Sequence, residues 1–306
     1  MNSRPLISVA VCTFNRADRL VLALDGLRQQ SLPVEQFEVL VVDNASTDHT
    51  KAVCDRYLTE MPNLRYLYEP VKGLSKARNT AIAHSQADYI AYLDDDAIPA
   101  PAWVQAIVET FSTVEPAPVS VGGPIYPLWE IPKPVWVHKY MEGVFTILDC
   151  GNEPMWFKKN QFPYGANMAY HKPSLEAAGS FSEKLGRQGK NLLSHEEYLL
   201  NLTLEQQGGR FYYNPKAAVQ HWVPKERIDP HWLIRRSYWQ GRSEALVEQI
   251  MGKTRTHQRW ASLRELANLK RLVAQVLPDP QIRVTTRARL AWSWGYFAQV
   301  WFNPST

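Results

Sequence analysis

Cysteine is scarce in this sequence, which has only Cys12, Cys54 and Cys150 among its 306 residues. The three are widely spaced and odd in number, and no two of them form a Cys-x-x-Cys pattern. This argues against a disulfide framework and against a zinc site built from thiolates. We therefore expect a reducing compartment, the cytoplasm, as the location of the protein.

Long hydrophobic runs are also missing. No uninterrupted apolar stretch reaches the roughly 18 residues that a membrane-spanning helix needs. The first residues, MNSRPLISVAVC, contain an apolar run that is too short for a signal peptide and is typical of a strand. With 45% hydrophobic and 21% charged residues, and without low-complexity segments, the composition predicts a globular protein with a sizeable core.

Charge is unevenly distributed along the chain. The overall balance is only +4, but residues 222–306 contain 14 Lys and Arg against 6 Asp and Glu, a balance of +8. Seven of the eleven tryptophans lie in the same part, whereas the first 221 residues have a balance of −4. A basic, tryptophan-rich segment on a mildly acidic body indicates contact with a membrane surface or an acidic lipid-linked acceptor. No nucleic-acid recognition motif accompanies it, so we expect no nucleic-acid partner.

The first part of the chain alternates between apolar, β-branched strands and amphipathic helices. The predicted strands lie at 6–12, 37–42, 64–68 and 88–93, with a helix pattern after each. This alternation predicts an α/β fold with a mostly parallel sheet flanked by helices. From about residue 230 onward the pattern is mostly helical. We therefore predict a catalytic domain at 1–222 and a helical, basic, Trp-rich C-terminal extension at 223–306.

Three adjacent aspartates, Asp94, Asp95 and Asp96, directly follow the strand at 88–93. Neighbouring carboxylates repel one another unless a positive charge lies among them, and a hard divalent cation with oxygen ligands supplies one. Ligands of parallel α/β sheets bind at the carboxyl ends of strands, where these aspartates lie. The pattern therefore favours a site for Mn²⁺ or Mg²⁺ that carries a diphosphate. The alternative is a solvated acidic turn or a helix-capping cluster before Pro99.

Polar residues also follow the first two strands, which predicts that they share this edge of the sheet. Thr13, Asn15 and Arg16 follow the first strand, and Asp43 ends the second. Asp43 can accept a hydrogen bond from a base, and backbone N–H groups at a helix start can bind an anion. Ordinary capping is the alternative, because such residues are common in turns. A third segment, Lys72 to Asn79, offers a glycine and three basic side chains to phosphate groups.

Four segments together, in this order, resemble glycosyltransferase family 2: TFNR at 13–16, VVDNAST at 41–47, KGLSKARNTAI at 72–82 and LDDD at 93–96. The resemblance covers roughly residues 6–222. It implies the GT-A fold, which is related to the Rossmann fold, together with a divalent metal and an inverting reaction. The site residues that it implies are Thr13, Asn15, Arg16, Asp43, Arg78, Asp94 and Asp95 for the nucleotide, with Asp94 and Asp96 for the metal.

Later segments supply further candidates by the same resemblance. Glu197 of the run SHEEY stands where the family has the carboxylate that acts as general base, and Glu196 is the rival. Asn167 corresponds to the segment that lines the donor-sugar pocket, with a buried structural Asn as the alternative. Arg187 is a candidate from its sequence surroundings alone: it lies between Gly186 and Gly189 and could hold a phosphate or the donor or acceptor sugar on a mobile lid, although a plain surface loop fits equally. His221 is a candidate metal ligand, since imidazole binds Mn²⁺, or a structural histidine.

These features predict an enzyme that transfers a sugar from a nucleoside diphosphate to a hydroxyl group of a saccharide or lipid-linked acceptor, in polysaccharide or glycoconjugate synthesis. A sugar nucleotidyltransferase would normally have a glycine-rich phosphate loop near the N-terminus, and CTFNRADRL contains no glycine. A catalytically silent nucleotide- or carbohydrate-binding protein is a second alternative. Processive synthases carry membrane spans and a Gln-x-x-Arg-Trp motif, whereas this chain has THQRW at 256–260. We therefore expect a non-processive enzyme.

The last predicted helix, at 285–302, is amphipathic. Leu290, Trp294, Phe297 and Trp301 share one face, and arginines stand at its start. Such a helix can lie at the inner face of a membrane. Packing on the catalytic domain or on a dimer partner would use the same face.

Overall fold

The computed structural model describes residues 4–187, 191–266 and 279–302. The chain folds into two compact units. The first contains the described residues up to Leu128, Thr146–Glu183 and Glu196–Trp222; the second contains Trp129–Phe145, the described parts of Lys184–His195, and the described chain from Val223 onward. The second unit thus also includes 129–145 and 184–195, which lie within the range that the sequence assigns to the catalytic domain.

The first unit is built on β-strands. Their bounds are β1 Ile7–Thr13, β2 Phe37–Asp43, β3 Leu64–Tyr68, β4 Tyr89–Leu93, β5 Ala97–Pro99, β6 Ser120–Gly122, β7 Ile125–Trp129, β8 Met155–Trp156, β9 Asn167–His171, β10 Phe211–Tyr213 and β11 Val219–Val223. Eight of them form one sheet in the order β3-β2-β1-β4-β9-β6-β10-β8. Strands β5, β11 and β7 form a separate three-stranded sheet.

The large sheet is mixed. Strands β3, β2, β1 and β4 run parallel, as the alternating pattern predicts, and β6 pairs parallel with β10. Strand β9, however, lies between β4 and β6 and is antiparallel to both, and β8 is antiparallel to β10. The predicted α/β class with flanking helices is confirmed. Parallel pairing gathers the ends of β1, β2 and β4 at one edge of the sheet.

Helices flank the sheet, and three further helices follow in the described part of the chain. Their bounds are α1 Ala17–Arg28, α2 Thr50–Glu60, α3 Leu74–His84, α4 Trp103–Thr113, α5 Lys172–Ala177, α6 Glu196–Gln206, α7 Pro230–Ile250, α8 Arg255–Leu266 and α9 Pro280–Phe302. Leu20, Leu24 and Leu27 of α1 recur every three or four residues and are fully buried. They join Val9, Val39 and other strand residues in the main core.

In the second unit, α7 and α9 approach each other closely at two glycines. A Cβ atom on Gly241 of α7 would lie 2.0 Å from the carbonyl oxygen of Trp292, and one on Gly295 of α9 would lie 1.9 Å from that of Tyr238. Only glycine permits backbones this near, so these two positions fix how the helices pack. Within the described ranges, no helix has both the length and the hydropathy to cross a bilayer.

Candidate active site

Two of the three adjacent aspartates are buried and held by residues from the end of β1. Asp95 is 5% and Asp96 4% exposed. Thr13 donates a hydrogen bond from Oγ1 to Asp95 at 2.8 Å. Arg16 donates from Nη1 to Asp95 at 3.0 Å and to Asp96 at 2.7 Å. Asp95 and Asp96 are therefore ordered parts of the interior and not a solvated acidic turn, whereas the Asp94 side chain is 36% exposed.

The electrostatics of this cluster follow from burial and from Arg16. Burial raises the pKa of Asp95 to about 6, while Arg16 and the hydrogen bond from Thr13 act in the opposite direction. The same Asp95 raises the pKa of Arg16 above its ordinary value. The sequence assigns Thr13 and Arg16 to the nucleotide. In the structure their side chains bind the aspartates. The Arg16 guanidinium therefore balances part of the negative charge that we expected a divalent cation to balance.

Asp94, Asp96 and His221 form a group that could hold a metal ion. Each offers one ligand atom, and these atoms lie within 4.8 Å of one another. His221 on β11 pairs in register with Ala97 on β5, which brings its ring beside Asp96: Nε2 lies 3.2 Å from Oδ1. The His221 ring is 2% exposed, and its Nδ1 has no hydrogen-bond partner among the described residues. Two carboxylates and an imidazole are a donor set that suits Mn²⁺ or Mg²⁺, so the residues fit the predicted metal.

Asp43 lies at the same edge, since it pairs in register with Thr13. Its carboxylate accepts hydrogen bonds from the Ser46 backbone N–H at 2.9 Å and from the Tyr66 hydroxyl at 2.8 Å. Burial and this bond to Asp43 raise the pKa of Tyr66. The sequence analysis did not find Tyr66. The alternation of side chains along β3 could have predicted which face of the sheet Tyr66 lies on, but not that it lies beside Asp43.

The loop after β1 is held against the loop after β2. Asn15 has a positive φ of 52°, and its side-chain oxygen accepts a hydrogen bond from the Thr47 backbone N–H at 2.7 Å. The Asn15 backbone N–H donates to Ser46 Oγ at 3.0 Å. Asn15 therefore lies at the predicted edge, where its side-chain oxygen fixes the turn.

Arg78 of α3 is buried and paired with the start of α6. The guanidinium donates from Nη1 to Glu196 Oε1 at 2.8 Å, and Nη2 lies 3.9 Å from Asp94. Gly165 leaves room for it, since a Cβ there would lie 2.8 Å from Arg78 Nη2 and 3.7 Å from Glu197 Oε1. Burial opposes the charge of Arg78, but the nearby Glu196, Glu197 and Asp94 raise its pKa overall. Arg78 was predicted to contact the nucleotide, and in this structure it binds an acidic residue of α6.

Glu197 differs from its neighbour. Its Oε2 atom is buried and has no hydrogen-bond partner among the described residues. Glu196 is 4% exposed and forms the ion pair with Arg78. The two adjacent glutamates therefore have different environments: Glu196 is buried against the Arg78 guanidinium, whereas Glu197 is partly exposed and forms no ion pair among the described residues.

The family model described as Glycosyl transferase family 2 matches residues 8–179, which is more than half of the chain. The chain belongs to this family. It is a glycosyltransferase, and family 2 inverts the anomeric configuration. The match spans β1 to α5 and so includes the end of β1, Asp43, Arg78 and the aspartates.

Named relatives and a solved structure are similar to this chain. The chain is 27% identical to a glucosyl-dolichyl phosphate glucuronosyltransferase from Haloferax volcanii over 80% of its own length and 78% of the relative's. It is 27% identical to the succinoglycan biosynthesis protein ExoM of Rhizobium meliloti, over 80% and 77%. Its fold resembles that of the mannosyltransferase PcManGT from Pyrobaculum calidifontis, solved with GDP-Man and Mn²⁺, with a TM-score of 0.65, 19% identity and coverage of 98% and 88%. The predicted GT-A fold is thereby confirmed.

Asn167 of this glycosyltransferase lies within the fold, and both hydrogens of its amide are used in hydrogen bonds to the protein. Its oxygen accepts a hydrogen bond from Trp103 Nε1 at 2.8 Å. Its nitrogen donates to the carbonyl oxygens of Pro124 at 3.2 Å and Ala217 at 2.7 Å. These contacts match the alternative of a buried structural asparagine and leave no amide hydrogen for a sugar.

Arg187 lies in a different unit from the aspartates. It is partly buried and follows Gly186, whose φ is 90°. Gly189, the other glycine of the predicted lid, lies outside the described residues. The predicted contact of Arg187 with a sugar stays a prediction.

Proposed function

We propose that this glycosyltransferase binds a nucleoside-diphosphate sugar at the edge formed by the ends of β1, β2 and β4, and that Glu197 is the general base. The observation that carries the proposal is the difference between the two glutamates. Glu196 is buried and bound by Arg78, whereas Glu197 is partly exposed and forms no ion pair among the described residues. A general base needs a carboxylate that the acceptor hydroxyl can reach, and of the two glutamates Glu197 is the one that is partly exposed and not held by a buried cation.

The reaction that follows is a single displacement. Glu197 accepts the proton of an acceptor hydroxyl while that oxygen attacks the anomeric carbon of the donor, and the nucleoside diphosphate departs from the opposite face. The configuration at the anomeric carbon is thereby inverted, in agreement with the family. The pair of Arg78 with Glu196 fixes the first turn of α6 and so the position of Glu197.

Asp94, Asp96 and His221 are the residues that would hold the divalent metal, as Mn²⁺ or Mg²⁺. When bound, such a metal offsets the negative charge that develops on a leaving diphosphate. Arg16 pairs with Asp96 through Oδ2, whereas His221 approaches Oδ1. The guanidinium can therefore keep the Asp96 carboxylate in place while the other oxygen faces His221.

The donor and acceptor classes rest on the relatives as well as on the site. PcManGT binds GDP-Man, and a Staphylococcus aureus TarS structure contains UDP, with a TM-score of 0.56 and 17% identity. The Haloferax relative is named for a dolichyl phosphate substrate and ExoM for succinoglycan synthesis. We propose a saccharide or lipid-linked acceptor here and transfer of one sugar at a time. The expected cytoplasmic location stays a prediction.

The first experiment changes Glu197→Gln and measures release of nucleoside diphosphate and formation of product, after a thermal-shift screen has identified the stabilising nucleotide. Loss of a general base lowers the rate about 10²–10⁴-fold, so kcat should fall by that factor while donor binding persists. Glu176→Gln, at an exposed position of α5, is the matched control. Unchanged kcat in the Glu197→Gln protein would rule out its role as base.

The second experiment tests the metal. Asp96→Asn should abolish metal-dependent transfer, and EDTA should do the same to the unaltered protein. Asp55→Asn on the surface of α2 removes one carboxylate elsewhere and should have no effect. Full activity under EDTA contradicts the metal assignment.

A further inference from the structure

Helix α9 carries a continuous strip of aromatic rings. Trp294 stacks on Phe297 with ring centroids 5.3 Å apart, and Phe297 stacks on Trp301 at 5.5 Å. Phe302 meets Phe297 edge-on at 5.9 Å. Spacings of three and four residues place the first three rings on one helical face. We call these four residues the aromatic strip.

Helix α8 lies beside this strip. Trp301 Nε1 donates a hydrogen bond to Ser262 Oγ at 3.1 Å, and the Arg259 guanidinium lies 4.6 Å from the centre of the Trp301 ring. Next to these contacts, Trp260 is 71% exposed and Leu263 is 43% exposed. On α9, Trp294 is 51% and Phe302 66% exposed. Both helices therefore present large apolar side chains to solvent, and they contact each other at Trp301.

A buried polar network sets the rotation of α8 and so the outward direction of Trp260. Gln258 is fully buried and donates to the Ala245 carbonyl at 2.9 Å and to Glu248 at 3.1 Å. Tyr296 of α9 also donates to Glu248. Because Gln258 points inward, Trp260, two residues further along the helix, points outward. The THQRW segment thus has a structural role and leaves its tryptophan exposed.

The charges on helices α8 and α9 are predominantly positive. The sequence of α8 and α9 contains one acidic residue, Glu265, whose side chain lies outside the described ones. Their arginines are Arg255, Arg259, Arg264, Arg283, Arg287 and Arg289. A second copy of this surface would place arginines against arginines, which disfavours self-association through it. The exposed Trp260 and Trp294, with Leu263 and the 41% exposed Ile282 of α9, suit the boundary between lipid headgroups and acyl chains. Arginines at that boundary attract anionic headgroups.

We propose that the exposed faces of α8 and α9 bind the surface of an anionic lipid bilayer, with Trp260, Leu263 and the aromatic strip in the interface and the arginines at the headgroups. The proposal goes beyond sugar transfer and needs no particular donor. It places the second unit at a surface where a lipid-linked acceptor would be held.

The experiment is co-sedimentation of the full chain with vesicles of phosphatidylcholine alone or of phosphatidylcholine with phosphatidylglycerol, at low and high salt. The chain should bind the anionic vesicles, and less so at high salt, because the attraction is screened. Each arginine near an anionic surface contributes about 1 kcal/mol, so Arg283→Gln with Arg287→Gln should weaken binding roughly thirtyfold. Trp260→Ser with Trp294→Ser should lower binding to both kinds of vesicle, by at least about tenfold for the anionic ones.

Leu58→Ser with Arg56→Gln is the matched control, since both side chains are exposed on α2 of the other unit. Circular dichroism should show that every variant keeps its helices. Equal binding of control and test variants, or no binding to anionic vesicles, overturns the proposal. The proposal is also overturned if light scattering shows a dimer that dissociates in the tryptophan variant. Binding of duplex DNA in place of vesicles overturns it as well. Sugar transfer to a water-soluble acceptor is measured on the same proteins. Normal transfer without vesicle binding contradicts the membrane proposal alone, whereas absence of transfer contradicts the proposed function.

Discussion

Arg78 and Glu196 lie 118 residues apart in the chain and form an ion pair of 2.8 Å in which both side chains are only 4% exposed. The pair joins α3 to the first turn of α6, next to Glu197. A buried ion pair contributes little net stability over an apolar pair, but removal of one partner leaves an uncompensated buried charge. The pair therefore fixes the position of α6 relative to α3.

Glu196→Ala should lower the free energy of unfolding by up to about 3–5 kcal/mol, because the buried Arg78 guanidinium loses its hydrogen-bonded carboxylate and keeps only the more distant Asp94 at 3.9 Å. Urea denaturation followed by circular dichroism measures this. The double variant Arg78→Met with Glu196→Leu should recover most of the loss, since it removes both charges together. A loss below about 1 kcal/mol in the single variant would mean that water reaches Arg78.

Asn167→Ala should destabilise the protein without a specific effect on donor binding. The change leaves Trp103 Nε1 and the carbonyl oxygens of Pro124 and Ala217 without their partner. An unsatisfied buried polar group costs about 1–3 kcal/mol, so the total loss should exceed about 2 kcal/mol. Urea denaturation gives the loss, and KM for the donor sugar is the second measurement. An increase in KM at unchanged stability would support the sugar contact that the sequence suggested.

His221→Ala should weaken binding of Mn²⁺. The ring is within reach of Asp94 and Asp96, and its removal takes one of three candidate ligands away. We expect at least about a tenfold loss of affinity, the lower limit found for residues that only support a ligand. Isothermal titration calorimetry measures it, with His49→Ala as control, because His49 is exposed and pairs with Asp18. The same affinity in both variants would exclude His221 from the metal site.

Cys12 and Cys54 should react slowly with iodoacetamide in the native protein. Burial raises the pKa of each thiol to about 12, whereas an ordinary thiol has a pKa near about 8.5. The thiolate is the reactive form, so at a pH of about 8 the rate should be roughly 10³-fold lower than in the urea-unfolded chain. Mass spectrometry of timed samples gives the rates. Rapid labelling of Cys12 in the native protein would show that the end of β1 is open.

The order of strands and helices in the first unit was readable from the sequence. Apolar periodicity is local, so β1, β2, β3 and β4 were predicted with bounds that agree with the structure to within a few residues. The position of the aspartates directly after β4 was equally local. The insertion of antiparallel β9 between β4 and β6 was not predicted, because periodicity does not specify which strands pair or in which direction.

The sequence by itself determined which residues gather at the sheet edge, since parallel strands end together and the motifs stand at their ends. Only the tertiary structure decided which of those residues contact one another. Arg16 binds Asp95 and Asp96, Tyr66 binds Asp43, and His221 lies beside Asp96. These contacts join residues 23 to 125 positions apart. They depend on strand order and register. Both arise from packing of the whole chain and cannot be read from the periodicity of neighbouring residues.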